Sequence, residues 1–180
     1  MEAWTDLYLE LADRISNKIP EIAWVDLWQG QAGTLTGDLP FSTPAVFIGF
    51  TINSCEDLSL LIQACDMQVD FYLLIAPSED PGAEPGGRSA IDDLRLLTKL
   101  HTCFHGVSGI NFQTMRRVDM RREDQGGAEN LYRISFNCNV EDASPQKEFD
   151  EHTVTGIVIK REETERLSTT DDEPLFHLPK

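Results

Sequence analysis

Five arginines lie close together in the second half of the sequence, around a predicted β-hairpin. They are Arg116, Arg117, Arg121, Arg122 and Arg133. A guanidinium group forms paired hydrogen bonds equally well with a phosphate or with a carboxylate. The cluster can therefore bind phosphate or the acidic residues of a neighbouring subunit. We favour the acidic protein partner, because few lysines or aromatic residues accompany the arginines.

Two histidines offer a second kind of chemistry. His101 and His105 are four positions apart in a predicted helix, so both side chains can reach one metal ion. No HExxH motif accompanies them, and a histidine near a helix C-terminus is explained by the helix dipole. Nucleophile and phosphate-binding motifs such as GxSxG, GxGxxG and GxxxxGK do not occur. We predict no catalytic, metal-binding or cofactor-binding residues, and no cofactor.

The charge balance limits the classes of partner. The chain has 31 acidic and 15 basic residues and a formal net charge of −16. This balance excludes a broad basic face for nucleic acid and disfavours anionic membrane surfaces. No apolar run approaches the roughly 20 residues that a membrane-spanning helix needs, and no signal-type segment begins the chain. We expect a chain made in the cytoplasm, and used there or assembled there into something larger.

The four cysteines are Cys55, Cys65, Cys103 and Cys138. They contain no CxxC pair, and Cys103 and Cys138 lie on apolar faces of predicted elements. We expect all four to be reduced, with a disulfide pair as the alternative.

The central stretch of the chain predicts a strand, a loop and a helix. Apolar residues alternate from Met67 to Ile75, which indicates a strand that faces a core. Ser89 and Asp92 have capping-box spacing at a helix start, and Gly106 is a natural helix stop. A strand and an amphipathic helix that both need cover predict a sheet with this helix packed on it.

The other elements follow from the same kinds of pattern. Residues 3–18 predict an amphipathic helix that Pro20 ends. Further strands are predicted over residues 22–28, 44–51, 61–75, 110–122 and 132–140. Residues 52–60 are expected to be irregular, with a bulge in the following strand near Ala64–Cys65 and a hairpin turn at 123–127. The fold class is α+β, with a mainly antiparallel sheet, an N-terminal helix and one central helix.

Two segments are predicted to lie outside this compact domain of residues 1–142. Residues 143–180 are an acidic C-terminal arm with a candidate strand at Val154, Ile157, Val158 and Ile159. The arm can add to the sheet edge of a neighbour, or it can be a disordered tail. The loop of residues 77–88 is long for an idle connection, so we expect it to project toward a partner. Its candidate contact residues are Ser78, Glu79, Asp80, Glu84 and Arg88.

The order of elements and the character of the strands resemble the tail terminator (tail-completion) proteins of long-tailed phages and prophages. The resemblance rests on the Pro44–Phe50 strand, the Met67–Ile75 strand and the Leu94–Gly106 helix. The closing hairpin from Phe112 to Val140, with Arg-Ile-Ser-Phe at 133–136, completes it. It covers about residues 3–142, and the arm departs from the compact family pattern.

The resemblance implies a structural virion protein rather than an enzyme. Such proteins form a ring, typically a hexamer, that caps the head-proximal end of the tail tube. The ring ends tube polymerisation and provides the docking surface for the head connector at the head–tail junction. The implied partners are further copies of the chain, the tail tube protein, and a head connector or neck protein. DNA is expected to pass through an acidic lumen without specific binding.

Two other readings stay open. One is another neck or head-completion adaptor built on a similar scaffold. The other is a small cytosolic ligand-binding domain or enzyme, which requires a concave apolar pocket with converging polar groups.

Overall fold

A computed structural model describes residues 3–30, 40–59, 61–75, 90–123 and 130–145. Within these ranges, five strands form one sheet in the order β1-β2-β3-β5-β4. The parallel pairing of β1 with β2 is the exception in an otherwise antiparallel sheet. The predicted α+β class is confirmed. The elements are α1 (Ala3–Lys18), β1 (Trp24–Leu27), β2 (Ala45–Ser59), β3 (Ile62–Ile75), α2 (Ala90–Phe104), β4 (Arg116–Glu123) and β5 (Asn130–Asp142).

The two helices cover one face of the sheet. In α1, Leu7, Leu11 and Ile15 recur every four residues, so they share one side of the helix and are fully buried. The guanidinium Nε of Arg14 donates a hydrogen bond of 2.8 Å to the carbonyl of Cys103 and joins α1 to α2. The positive φ of Gly106, +75°, lets the chain leave α2 and donate from its own N–H to the carbonyl of Met115.

The core lies between these helices and the central strand β3. The alternating residues of β3 from Met67 to Ile75 point toward the helices and are at most 1% exposed. Phe71 stacks on Phe104 of α2 with ring centroids 4.3 Å apart, and it meets Phe136 of β5 edge-on at 5.7 Å. The period-two pattern of β3 therefore describes its buried face correctly.

A smaller apolar cluster occupies the other face of the sheet. It contains Ala45, Phe47, Leu74 and Leu131, with Trp28, Phe41 and Tyr72 packed against it. The rings of Trp28 and Tyr72 stack with centroids 4.0 Å apart. The second face is thus apolar at one end, where β1 pairs with β2, and polar toward β4.

Strand β2 is longer than predicted. It continues to Ser59, so residues 52–59 are strand and the expectation of an irregular connection is wrong. The polar run after Asn53 shows no alternation, because this half of β2 is exposed on both faces. The pairing of β2 with β3 shifts register between Ile52 and Ser54, and again between Asp57 and Ser59. The irregularity expected in β3 near Ala64–Cys65 therefore belongs to β2.

The strand predicted from Ile110 begins only at Arg116. The preceding segment is held instead by the carboxylate of Glu10 in α1. This carboxylate accepts hydrogen bonds from the backbone N–H groups of Ile110 and Asn111, at 2.8 and 2.9 Å, and from the side-chain amide of Asn111. A Cβ on Gly109 would strike the same carboxylate and the ring of Phe112. A side chain at position 109 would displace the Glu10 carboxylate from these hydrogen bonds.

The prediction of four reduced cysteines is wrong for Cys55 and Cys65, which form a disulfide. They are directly opposed on β2 and β3, with Cα atoms 4.1 Å apart. Cross-strand register brings the two side chains together, and the sequence alone does not reveal that register. Cys103 and Cys138 are free and buried.

We expect alkylation in denaturant without reductant to modify two thiols, and four after reduction. In the native protein the two free thiols should react slowly. Burial, with the charge of Asp66 second, raises the pKa of the Cys138 thiol to about 11, so little thiolate forms near neutral pH. Mass spectrometry of the alkylated chain counts the thiols. Four modified cysteines without reductant would contradict the disulfide.

None of the helices described above is both long enough and apolar enough to cross a membrane.

Candidate functional site

The arginine cluster lies at one edge of the sheet. Strand β4 carries Arg116, Arg117, Arg121 and Arg122 and pairs with β5 on one side. Its other side has no strand partner within the described ranges. Arg133 lies on β5, directly opposite Arg121. The structure therefore brings the five predicted arginines together on two adjacent strands.

A register shift between Arg117 and Asp119 decides how the arginines are divided between the two faces. On the face that lacks the helices, Arg121 and Arg133 share two carboxylates. Arg121 Nε lies 2.8 Å from Glu123, Arg133 Nε lies 3.1 Å from Glu123, and Arg133 reaches Asp119 at 3.5 Å. The charges of this group balance, so it contributes little free cationic surface.

The other face of β4 carries cations of a different kind. Arg117, Met120 and Arg122 are opposite Phe136, Ile134 and Tyr132, so they lie on the helix side of the sheet. Neither Arg117 nor Arg122 forms an ion pair with another described residue, and Met120 between them is 47% exposed. An apolar side chain flanked by two cations that have no ion-pair partner in the described part of the chain is a surface suited to an acidic partner.

A buried polar network lies behind Arg133, and the sequence did not reveal it. Asp70 of β3 is 5% exposed and accepts hydrogen bonds from Gln68, at 3.0 Å, and from the hydroxyl of Ser135, which is 1% exposed. The signal was the presence of polar residues at alternate positions of the otherwise apolar β3. Whether such positions face solvent or one another depends on strand pairing.

Arg133 connects this network to the sheet edge. Burial lowers the pKa of Arg133, but its hydrogen bond with Tyr72 and the nearby charges of Asp70 and Glu123 outweigh burial and raise it. Arg133 is thus a fixed cation held by the protein itself. Among the five predicted arginines, it is the one whose role is most clearly structural.

The histidine pair forms as its spacing predicts. The rings of His101 and His105 have centroids 4.7 Å apart, and His105 Nδ1 accepts a hydrogen bond from the backbone N–H of Arg117 at 3.1 Å. The described ranges contain no group of three or more metal-ligating side chains. The pair therefore connects α2 to the start of β4.

We expect His101 to titrate below the usual histidine value. Burial, followed by the charges of Arg117 and His105, lowers its pKa from 6.5. The unfolded chain then binds more protons than the folded chain, so this contribution to stability is present above about pH 6.5 and is lost as the pH falls through the folded pKa. An NMR titration of the folded protein measures the value, with the denatured chain as control. A folded pKa above 6.5 would contradict the prediction.

One hollow bears on the ligand-binding alternative. It has a volume of about 780 Å³ and lies along α2, where Ile91 and Leu94 are 60% and 57% exposed. Its charged residues are engaged with one another, because Arg95 pairs with Asp92 at 2.9 Å and Lys99 pairs with Glu21. They do not converge on the hollow as the polar groups of a ligand site do.

The remaining predicted contact residues lie outside the described ranges. These are the loop residues Ser78, Glu79, Asp80, Glu84 and Arg88, and the arm residues Val154, Ile157, Val158 and Ile159. Their roles stay predictions, as does the domain boundary at 142/143.

No protein-family model matches this chain, and no curated protein matches it.

Proposed function

We propose that the chain is a structural virion protein of the tail-terminator type. It assembles into a ring, a hexamer by the resemblance, that caps the head-proximal end of a phage tail tube. The observation that carries the proposal is the exposed β4 edge, where Arg117 and Arg122 flank Met120 in a chain of net charge −16. Such an edge suits an acidic protein partner, and another copy of the chain is strongly acidic.

The arrangement of the sheet supports a ring subunit. The helices occupy one face of the sheet, and the two ends of the strand order, β1 and β4, differ in character. Strand β1 carries Trp24 and lies beside an aromatic cluster, whereas β4 carries the arginines. A closed ring needs two different surfaces on each subunit, because every copy contacts one neighbour on each side.

The acidity of the chain supports a conduit for DNA. With 31 acidic and 15 basic residues, a ring of such chains repels phosphate more than it attracts it. The β4 arginines are a local exception, and a subunit contact would cover them. The ring then offers DNA an acidic channel that does not retain it.

The proposal assigns partners to the two ends of the ring. The tail tube protein binds below it and a head connector or neck protein binds above it. The loop of residues 77–88 is proposed to contact the tube or line the lumen. The arm of residues 143–180 is proposed to tie neighbouring subunits together. Assembly takes place in the host cytoplasm, and the finished protein resides at the head–tail junction.

Electron microscopy of particles that carry labelled protein tests the location. We expect the label only at the head–tail junction. Label along the whole tube would overturn the proposal and favour a tube or sheath subunit.

Deletion of the gene tests the role at that location. Loss of a terminator should give overlong tails, because nothing ends tube growth. Normal tails beside unjoined heads would instead identify a neck or head-completion adaptor.

A further inference from the structure

The outer half of β2 has features that complement the β4 edge. Strand β1 pairs only with Ala45–Ile48 of β2. From Gly49 to Ser59, β2 has β3 as its one strand partner within the described ranges. This half projects from the core, since every residue from Thr51 to Ser59 is exposed. The sheet therefore presents a second open edge, on the side opposite β4.

The side chains of this second edge include both apolar and acidic groups. Ile52 and Leu58 are 47% and 59% exposed. Glu56 and Asp57 lie between them in the sequence. Asp57 accepts a hydrogen bond of 2.9 Å from Gln63, and no described cation pairs with Glu56 or Asp57. We call residues 52–58 the acidic edge.

The β4 edge combines the same kinds of group, with the opposite charge. Val118 and Met120 are 53% and 47% exposed, and Arg117 and Arg122 flank Met120. We call residues 117–122 the basic edge. Each edge thus combines two half-exposed apolar residues with two charges that form no ion pair among the described residues, negative on β2 and positive on β4. Arg117 and Arg122 share the helix side of the sheet, whereas Glu56 and Asp57 are adjacent on β2 and point to opposite faces. Apolar centres with complementary charges around them are typical of specific protein interfaces.

Both edges also contain register shifts, near Asn53 and Leu58 on β2 and at Val118 on β4. Such irregularities discourage continuous backbone pairing between sheets. The two edges should therefore meet through side chains rather than by extending one sheet into the next. Side-chain contacts that depend on charge also prevent indiscriminate pairing with other strands.

We propose that the basic edge of one copy binds the acidic edge of the next copy. This inference rests on the proposed ring function and names its subunit contact. Because the two edges are different surfaces of one chain, the contact is head-to-tail and repeats around a closed ring. A contact of β4 with β4 would bring arginine against arginine. Binding to nucleic acid is disfavoured because a chain of net charge −16 repels the phosphates.

Charge reversal with rescue tests the inference. We expect Arg117→Glu with Arg122→Glu to weaken self-association about tenfold or more, and Glu56→Arg with Asp57→Arg to do the same. Combining the four changes should restore association to near the wild-type level, because the pairs regain opposite charges. The matched control for the arginine reversal is Arg95→Glu with Lys99→Glu on the exposed side of α2, which changes the net charge by the same amount and in the same direction and should leave association nearly unchanged. Sedimentation velocity measures association, and circular dichroism checks the fold.

A cross-link locates the contact. In a mixture of Leu58→Cys and Met120→Cys proteins, oxidation should produce a mixed dimer, whereas neither variant alone should cross-link efficiently. Cross-linking of Met120→Cys with itself, or the absence of a mixed dimer, would overturn the inference.

The outcomes distinguish this inference from the proposed function. Rings that persist after both charge reversals would overturn the contact and leave the terminator function standing. A wild-type chain that stays monomeric at every concentration would also overturn the contact, and microscopy of labelled particles would still decide the function. Charge reversals that change DNA binding but not association would show that the basic edge binds phosphate instead.

Discussion

Replacing Phe71 with alanine is expected to lower the free energy of unfolding by about 3–5 kcal/mol. Phe71 is fully buried at the centre of β3. Its ring contacts Phe104 of α2 and Phe136 of β5, so one truncation leaves a cavity between a helix and two strands. Domains of ordinary stability unfold with about 5–15 kcal/mol, so the loss is a large fraction of the total. Urea titration followed by circular dichroism measures it.

Phe50→Ala is the matched control for this truncation. Phe50 lies on the same face of the sheet but is only partly buried, and it meets Trp4 edge-on at 6.3 Å. Its loss should therefore cost clearly less than the loss of Phe71. Phe71→Leu keeps most of the volume and should cost an intermediate amount, which keeps the comparison measurable if Phe71→Ala does not fold. Equal losses at Phe50 and Phe71 would contradict the packing described here.

The sequence predicts correctly those helices and strands whose buried face is determined by residues within the same segment. The apolar stripe of α1 and the alternation of β3 each describe a buried face within a single segment. The structure places those faces in one core, as the periodicity requires. Helix ends were also accurate, because Pro20 and Gly106 act locally on the backbone. The fold class follows from these local patterns.

The features that sequence did not reveal depend on pairing between distant segments. Residues 52–59 are strand because β3 pairs with them, although they bury nothing. The segment before Arg116 is not a strand, because the carboxylate of Glu10, about 100 positions earlier, accepts hydrogen bonds from its backbone N–H groups. The Cys55–Cys65 disulfide follows from the same cross-strand register. The local propensity of a segment does not indicate which distant residues will pair with it.

The sequence predicts which arginines form the cluster, but not how they are divided between the two faces of the sheet. Simple alternation from Arg117 would place it on one face with Arg121. The register shift before Asp119 instead places Arg117 with Arg122, and leaves Arg121 with Arg133 and their carboxylates. A single extra residue in β4 thus separates Arg117 and Arg122, which form no ion pair with another described residue, from the charge-balanced Arg121 and Arg133. This extra residue therefore determines which arginines are available for a partner and which are held within the ion-pair network of Asp119 and Glu123.

Asp70→Ala is expected to lower the free energy of unfolding by about 2–3 kcal/mol, although it removes only one small side chain. Its carboxylate is almost fully buried, accepts from Gln68 and Ser135, and lies near the Arg133 guanidinium. Without it, the buried hydroxyl of Ser135 and the half-buried amide of Gln68 lose their acceptor, and a partly buried cation loses one of its counter-charges. Asp119→Ala, which alters a half-exposed carboxylate beside the same arginine, should cost at most about 1 kcal/mol.

A double-mutant cycle with Arg133→Met tests whether Asp70 and Arg133 act as one unit. If they do, the combined variant should be about 0.5–3 kcal/mol more stable than the sum of the two single losses predicts. Once Arg133 is replaced, Asp70→Ala no longer leaves a partly buried cation without its counter-charge. Additive losses would mean that Asp70 stabilises β3 through Gln68 and Ser135 alone. Arg133 would then be held by Tyr72 and Glu123, and the edge arginines would not be coupled to the centre of the sheet. Coupling would instead mean that Asp70, on the face of β3 that lacks the helices, positions Arg133 and, through the carboxylates they share, Arg121 of β4.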